Sequence, residues 1–254
     1  KYRLPRNIIA RMQSLEYDRS FLAARILLDK INANMIISGA FGLFEKKTVI
    51  AVGGYDSSTM GEDMELVVRL HEFSRMNRKP YKIDFAQDAI CWSQTPEKLS
   101  ELCKQRKRWQ RGLFQCMWGH RKMLANPRYG AVGLLSYLYF LLYELLSPFI
   151  ELLGVLTMVL SVVMDMLNVK FMLVFLACYA LYGILLTLTA YFSRIYTIDQ
   201  RLSFRELILA IIACFFETTI LRFSLAFVRA TAFVGYKKNK LNWGKLERKK
   251  MNKI

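Results

Sequence analysis

The feature that most constrains this chain is the uneven distribution of its apolar residues. Hydrophobic residues make up 54% of the 254 residues, yet the first half of the chain mixes charged and apolar side chains while residues 131–236 hold long apolar runs with few charges. A membrane-spanning helix needs about 20 apolar residues, and residues 148–167 and 171–192 each supply such a run. The sequence therefore predicts a globular part followed by an α-helical transmembrane region, with the boundary near Asn126 and Pro127.

A third apolar run, residues 207–234, is interrupted by Glu217 and Arg222 and is long for one span but short for two. It is followed by residues 237–254, which carry eight Lys or Arg and one Glu and contribute to a net charge of +17. Because basic segments next to a membrane stay on the cytosolic side, we expect a re-entrant hairpin near residue 217. Glu217 and Arg222 would then face each other across the bend, since charges inside a membrane rarely stay unpaired.

Three parts follow from this division. Residues 1–126 form the globular domain with interfacial helices, residues 127–236 form a transmembrane region of three to four passes, and residues 237–254 form a basic cytosolic tail. We expect a multi-pass protein of the cell (plasma) membrane with its globular part in the cytosol. Zinc-finger spacing and an aromatic-basic RNA signature are both missing from the sequence, so no nucleic-acid partner is expected.

The globular part alternates between helical and extended patterns. Residues 7–31 have helical periodicity, which fits either an ordinary packed helix or a helix lying on the membrane surface. Further helices are predicted to open at Gly61 and to cover residues 97–118, with Met64, Val67, Val68 and His71 on one face of the first. Buried or short strands are predicted at residues 35–44, 81–85 and 89–93, and a Gly-Gly turn is predicted inside residues 49–55. Strands alternating with helices indicate an α/β fold.

Two acidic residues, Glu62 and Asp63, directly follow Gly61 at the predicted start of a helix. Acidic residues are common there because the helix dipole stabilises them. The alternative is that one of them is a carboxylate base that removes a proton from a hydroxyl group. Position alone favours the structural interpretation.

A basic helix face combines Gln105, Arg108, Trp109 and Gly112, which share one side of a helix at positions i, i+3, i+4 and i+7. Such a face is usually exposed to solvent or to lipid headgroups. However, arginine pairs well with phosphate, and a glutamine can form hydrogen bonds with hydroxyl groups. A binding role is therefore a second possibility.

Ser38 and Gly39 lie within the apolar segment 35–44, where a buried strand is predicted to lead into a tight turn. A glycine after a buried strand usually serves the backbone. It also allows a ligand to approach the main chain closely.

Taken in order, the motifs SGAFGLF, VGGYD, GEDMELVVRLH and QRKRWQRG, followed by a kinked apolar segment, resemble the C-terminal half of membrane-bound family 2 glycosyltransferases. The resemblance is to processive synthases of the poly-N-acetylglucosamine, cellulose and hyaluronan type, and it covers roughly residues 30–150. It implies the C-terminal part of a GT-A-type domain. The family's Thr-Glu-Asp motif is Gly-Glu-Asp here, a modest departure, and its Gln-x-x-Arg-Trp motif is intact.

The resemblance assigns a role to each candidate residue. Asp63 would be the general base, with Glu62 beside it, in an inverting transfer from a UDP-sugar. Gln105, Arg108 and Trp109, together with the turn at Ser38 and Gly39, would bind the acceptor or product. The family holds Mg²⁺ or Mn²⁺ with an upstream Asp-x-Asp motif that this sequence does not contain, so we expect no metal ligands in this chain. On this interpretation the chain is a fragment or one subunit of a split enzyme.

The expected partners are a UDP-sugar donor, a polysaccharide or glycolipid acceptor, the lipid bilayer and accessory subunits. N-acetylglucosamine is preferred as the sugar on overall likeness to the poly-N-acetylglucosamine type. Two alternatives stay open at this stage. One is a non-processive enzyme that glycosylates a lipid, and the other is a catalytically inactive membrane scaffold.

Overall fold

The computed structural model describes Pro5, residues 7–86, Ala89, Cys91, residues 93–197 and residues 203–236. These residues form helices joined by irregular segments. Within them there is no β-strand, so the strands on which the α/β prediction rests are not found. The basic tail, residues 237–254, lies outside the described residues.

The N-terminal helix confirms the predicted helix over residues 7–31. It consists of α1 (Ile8–Arg19), a π-helical stretch (Ser20–Arg25) and α2 (Ile26–Lys30). The side chain of Asn7 caps it by accepting hydrogen bonds from the amides of Ile9 at 2.9 Å and Ala10 at 3.1 Å.

Two helices build the globular core, and a short one precedes them: α3 (Lys46–Ala51), α4 (Glu62–Met76) and α5 (Leu99–Gly119). Both predicted helices at Gly61 and over residues 97–118 are thus confirmed. The predicted inner face of α4 is buried at all four positions, namely Met64, Val67, Val68 and His71. This face and the side of α5 that carries Cys116 and Met117 form one hydrophobic cluster.

The predictions of strands at residues 35–44 and 81–85 are wrong. Ala33–Met35 is buried, but the following residues are irregular, and Leu43 is 98% exposed. In the second segment the amides of Ile83 and Phe85 donate to the side chains of Asn32 at 2.9 Å and Asp29 at 2.8 Å. Because side chains satisfy this backbone, it needs no neighbouring strand.

The remaining extended segments have separate outcomes. The predicted strand at residues 89–93 includes positions outside the described residues. The predicted Gly-Gly turn is confirmed at Gly53 and Gly54, which adopt φ angles of 89° and 75°. The residues just before this turn form the end of α3.

Three helices of the C-terminal half are long and apolar enough to cross a membrane: α6 (Val132–Val163), α7 (Val169–Tyr196) and α8 (Phe204–Phe233). The predicted hairpin near residue 217 is wrong, because α8 runs through this position. The chain there changes only to a π-helical stretch, Glu217–Leu221. α1 packs against α7 and α8, with Leu15 fully buried in a cluster that includes Tyr191 and Ala213.

The charges inside α8 have partners on other helices. Glu217 accepts two hydrogen bonds from Arg19 of α1, at 2.9 and 2.8 Å. Arg222 donates to Glu151 of α6 at 3.0 and 2.8 Å. The predicted pair between Glu217 and Arg222 is therefore wrong, although each charge is paired, as is expected for charges within long apolar helices.

A proline in α6 creates a second link between the helices. Pro148 has no backbone N–H, so the carbonyl of Glu144 lacks its α-helical donor. Arg229 of α8 donates to this carbonyl and, through Nε, to the side chain of Gln110 at 2.8 Å. Gln110 of α5 in turn donates to the carbonyl of Leu145 at 2.9 Å. The globular helix α5 is thereby tied to both α6 and α8.

Candidate active site

The candidate site is centred on Asp63 in the first turn of α4. The backbone amide of Gly39 donates to Oδ2 of Asp63 at 3.1 Å. A Cβ atom on Gly39 would lie only 3.4 Å from Cβ of Asp63. The turn at Ser38 and Gly39 therefore lies directly against the acidic pair, 24 residues away in sequence, and the two predicted features meet in one place.

Helix α5 reaches the same place through a glycine-glycine contact. A Cβ on Gly112 would lie 2.7 Å from the backbone nitrogen of Gly61 and 2.9 Å from its Cα. Only glycine permits this approach, because contacts of that length are sterically forbidden. The start of α4 and the middle of α5 are thus in backbone contact.

A glutamine on α5 fixes the loop that leads into α4. Oε1 of Gln115 accepts a hydrogen bond from the amide of Met60 at 2.8 Å and from the hydroxyl of Thr59 at 3.2 Å. Gln115 lies three residues after Gly112, on the same side of the helix. The two residues together hold Glu62 and Asp63 in a defined position relative to α5.

Arg108 lies one turn before Gly112, within electrostatic range of the acidic pair. Burial lowers the pKa of Arg108, and the carboxylates of Asp63 and Glu62 act in the opposite direction. A second arginine approaches from the N-terminal helix: burial lowers the pKa of Arg25 to about 10, against the opposing effect of Asp63 and Glu144. Two guanidinium groups therefore create a positive potential beside the carboxylates, which suits a phosphorylated ligand.

Gln105 and Trp109 occupy the neighbouring surface of α5. Trp109 is 41% exposed, and its ring packs against Arg106, whose guanidinium carbon is 4.8 Å from the ring centroid. Oε1 of Gln105 is buried and has no hydrogen-bond partner among the described residues. A buried acceptor without a partner is costly, and a ligand hydroxyl can reach this atom only if the side chain moves to expose it.

His71 explains how the segment before Ser38 is held against α4. Its ring is fully buried, with Nε2 2.7 Å from the carbonyl of Asn34 and Nδ1 2.7 Å from the hydroxyl of Tyr81. Burial lowers the pKa of His71 to about 4, so the ring is neutral at pH 7. Nε2 must then donate to the carbonyl and Nδ1 must accept from the hydroxyl. His71 therefore helps to position the segment before Ser38 and is not itself a residue of the candidate site.

The acidic pair does not have the surroundings of a metal site. The described part of the chain contains no group of three His, Cys, Asp or Glu side chains that could hold a metal ion. Arg25 and Arg108 are within electrostatic range of Asp63, and their positive charge disfavours a cation there. We therefore assign no metal ligand in this part of the chain and derive no chemical step through a metal.

Some residues of the site were not identified from the sequence. Arg25 gave no signal, because its approach to Asp63 depends on how the N-terminal helix packs. Gly112 was placed on the face of α5 but was not chosen, although a glycine inside a helix is itself a sign of close packing. Gln115 has the same kind of role and lies outside the Gln-x-x-Arg-Trp motif.

Comparison with known proteins supports the resemblance of the motifs. Residues 2–234 match the family model described as glycosyl transferase family group 2. A poly-beta-1,6-N-acetyl-D-glucosamine synthase from Staphylococcus aureus is 32% identical over 120 residues, which is 47% of this chain and 26% of the relative. The protein of the same name from Staphylococcus epidermidis is 31% identical over 120 residues, with the same coverage. The matched part therefore spans about a quarter of these relatives.

No solved structure shows significant similarity to the chain. The family match, in contrast, includes α1 to α8 and the whole candidate site. The protein belongs to glycosyl transferase family group 2.

Proposed function

We propose that this chain forms the acceptor side of an enzyme that transfers N-acetylglucosamine from a UDP-sugar to a growing polysaccharide. The observation that carries the proposal is the position of Asp63. Its carboxylate is oriented by the amide of Gly39 at 3.1 Å and lies beside the backbone contact between Gly61 and Gly112. The relatives that match 120 residues of this chain are named as synthases of an N-acetylglucosamine polymer.

The reaction proposed is a single displacement with inversion. Asp63 takes the proton from an acceptor hydroxyl as its oxygen attacks C1 of the donor sugar. The bond between C1 and the diphosphate oxygen breaks, and UDP leaves with the electron pair. A positioned carboxylate base contributes on the order of 10²–10⁴-fold to such a step.

The residues of α5 have complementary roles in this scheme. Arg108 lies within electrostatic range of the acidic pair and stabilises the negative charge of the departing diphosphate. Gln105 binds a hydroxyl of the acceptor through its side-chain amide. Trp109, which is 41% exposed, provides an apolar surface for a sugar ring. Glu62 adds negative charge next to the base.

We further propose that α6, α7 and α8 cross the cell membrane and that the candidate site faces the cytosol. The support is their length and apolar composition, together with the pairing of the charges within α8. The link from α5 through Gln110 to α6 keeps the site next to the membrane, where a polymer would leave.

The test is the activity of membranes that contain the full-length gene product. UDP release and product size are measured with a panel of UDP-sugars, with and without Mg²⁺. We expect turnover with UDP-N-acetylglucosamine and a ladder of polymer products. A single glycolipid product would instead identify the non-processive alternative, and no turnover with any sugar would favour the scaffold.

Asp63→Asn should lower transfer by roughly 10²–10⁴-fold. The substitution keeps an oxygen that can accept from Gly39, so the turn and the amount of protein in the membrane should not change. Asp84→Asn is the matched control, because Asp84 is an exposed acid paired with Lys82 at 2.6 Å. Transfer at the wild-type rate by Asp63→Asn would show that Asp63 is not the base.

A further inference from the structure

A second feature of the globular part is an open cavity at the C-terminal end of α4. Its volume is about 740 Å³, and it is lined by four cationic side chains, Arg75, Arg78, Lys79 and Arg128, with no acidic residue in the lining. Arg75 lies 12 residues after Asp63 on the same helix, which corresponds to about 18 Å. The cavity is therefore separate from the candidate active site.

The floor of the cavity is ordered by hydrogen bonds. Nε of Arg75 donates to the hydroxyl of Tyr81 at 3.0 Å, and this hydroxyl donates to His71, as argued above. The side-chain amide of Asn32 donates to the carbonyl of Tyr81 at 3.0 Å. Arg75 is thus held in place through Nε, and its two terminal nitrogens form no hydrogen bond among the described residues.

The four cations are not neutralised within the described part of the chain. None of them forms an ion pair there. The nearby acid Glu72 is engaged with His120 at 2.6 Å. Uncompensated positive charge on one concave surface attracts anions.

The backbone at Arg78 gives independent support for an anion-binding cavity. Arg78 adopts a φ angle of 51°, in the left-handed region where helix ends usually place glycine. A backbone with this φ angle favours glycine, so the conformation does not explain why residue 78 is an arginine. The amide of Lys79 and the side chain of Asn77 donate to the carbonyls of Ser74 at 2.9 Å and Phe73 at 2.7 Å. These bonds occupy the carbonyls at the helix end, which would otherwise repel an anion.

The cavity lies beside the start of the first long apolar helix. Arg128 belongs to a short 3-10 turn, Pro127–Tyr129, and α6 begins at Val132. A Cβ on Gly130 would lie 3.3 Å from the guanidinium carbon of Arg75, so Arg75 touches this connection. In the membrane arrangement proposed above, the lining cations therefore lie at the N-terminal, cytosolic end of α6.

We propose that this cavity binds the phosphate group of an anionic phospholipid headgroup. Arginine offers parallel donors that match two phosphate oxygens, and headgroups of this charge are concentrated at the cytosolic surface. The inference rests on the membrane embedding proposed above and does not depend on sugar transfer. Extraction of membranes with alkaline carbonate tests that embedding separately, since a protein that is washed off would not be embedded.

The experiment compares thermal unfolding of the full chain in nanodiscs of phosphatidylcholine alone and of phosphatidylcholine mixed with phosphatidylglycerol. We expect the anionic lipid to raise the Tm of the wild type. Arg78→Gly should lose most of this increase, yet its Tm in phosphatidylcholine should equal or exceed that of the wild type, because glycine adopts this φ without strain. Arg128→Gln should also lose the increase.

The control is Lys46→Gln with Lys47→Gln, which removes two exposed charges elsewhere on the surface and should keep the full response. If Arg78→Gly and Arg128→Gln respond to phosphatidylglycerol like the wild type, the proposal is wrong. Inorganic phosphate or pyrophosphate is added to phosphatidylcholine nanodiscs as a third arm. If phosphate or pyrophosphate raises the Tm as much as phosphatidylglycerol does, the ligand is a soluble phosphate compound and the proposal of a lipid headgroup is wrong.

Discussion

In the helical bundle formed by α1, α6, α7 and α8, the carboxylates of Glu217 and Glu151 form ion pairs with arginines. The carboxylate of Asp63, at the start of α4, does not form one among the described residues. Glu217 is 4% exposed and is held by Arg19 through two hydrogen bonds. Glu151 accepts two hydrogen bonds from Arg222, both at Oε1. Asp63 instead accepts only from backbone amides, those of Gly39 and Met64, and forms no ion pair among the described residues.

The difference shows how the same chemical group serves two purposes. A buried carboxylate that must stay charged in an apolar region requires a cation with several donors. A carboxylate that must accept a proton has to keep part of its surface accessible. The comparison therefore predicts that substitutions in the bundle will change stability and that substitutions around Asp63 will change the rate.

The largest expected effect on stability is at Glu217. Glu217→Gln leaves the partly buried Arg19 without its countercharge, and breaking a buried pair costs about 3 kcal/mol. The measurement is unfolding of the protein in mixed micelles. The double variant Arg19→Met with Glu217→Gln should recover most of the loss because no charge is left unpaired. If Glu217→Gln is as stable as the wild type, the pair between Arg19 and Glu217 does not stabilise the fold.

His71 should give the next largest effect, as a loss of stability in acid. Its pKa is lowered from 6.5 to about 4 in the folded protein, so the fold favours the neutral ring. The resulting stability is complete above pH 6.5 and is lost as the pH falls to about 4, which amounts to about 3 kcal/mol. The free energy of unfolding is measured against pH for the wild type and for His71→Gln. The variant should lack this slope, and an unchanged slope would assign it to other groups.

Gly112→Ala tests whether substitutions around Asp63 change the rate of transfer. The added Cβ would lie 2.7 Å from the nitrogen of Gly61, so α5 must move away from the acidic pair. A displacement of about 1 Å can cost roughly 10²-fold in rate. Gly119→Ala is the matched control on the same helix, since nothing lies within 4 Å of its added Cβ. Equal rates of UDP release from the two variants would show that the contact does not position the site.

The smallest effect is expected at His120, and its sign is opposite to that at His71. Burial lowers the pKa of His120, but hydrogen bonds to Glu65 and Glu72 outweigh burial and leave the pKa above 6.5. The stability from the charged ring is therefore present below pH 6.5 and is lost as the pH rises through the folded pKa. His120→Gln should flatten the Tm profile on the alkaline side. Histidine NMR signals that titrate in the reverse order would refute both assignments.

Much of the site was predictable because its motifs lie on regular helices. The start of α4 at Gly61 and the shared face of Gln105, Arg108 and Trp109 follow from periodicity and capping rules. The proximity of Gly39 to Asp63 did not follow from these rules and was implied only by the family resemblance. The strand predictions failed because a strand depends on what its backbone bonds to, and here Asn32 and Asp29 supply the partners.

By itself, the sequence determined the N-terminal helix, α4 and α5, where the long apolar runs lie and in what order the motifs occur. These are local properties, set by the spacing of side chains along one segment. The tertiary structure alone decided which charges meet. Glu217 pairs with a residue 198 positions away and not with Arg222, five positions away. It also decided that Gly112 touches Gly61. Such partners depend on how separate helices pack, and this is a property of the whole fold that no local pattern contains.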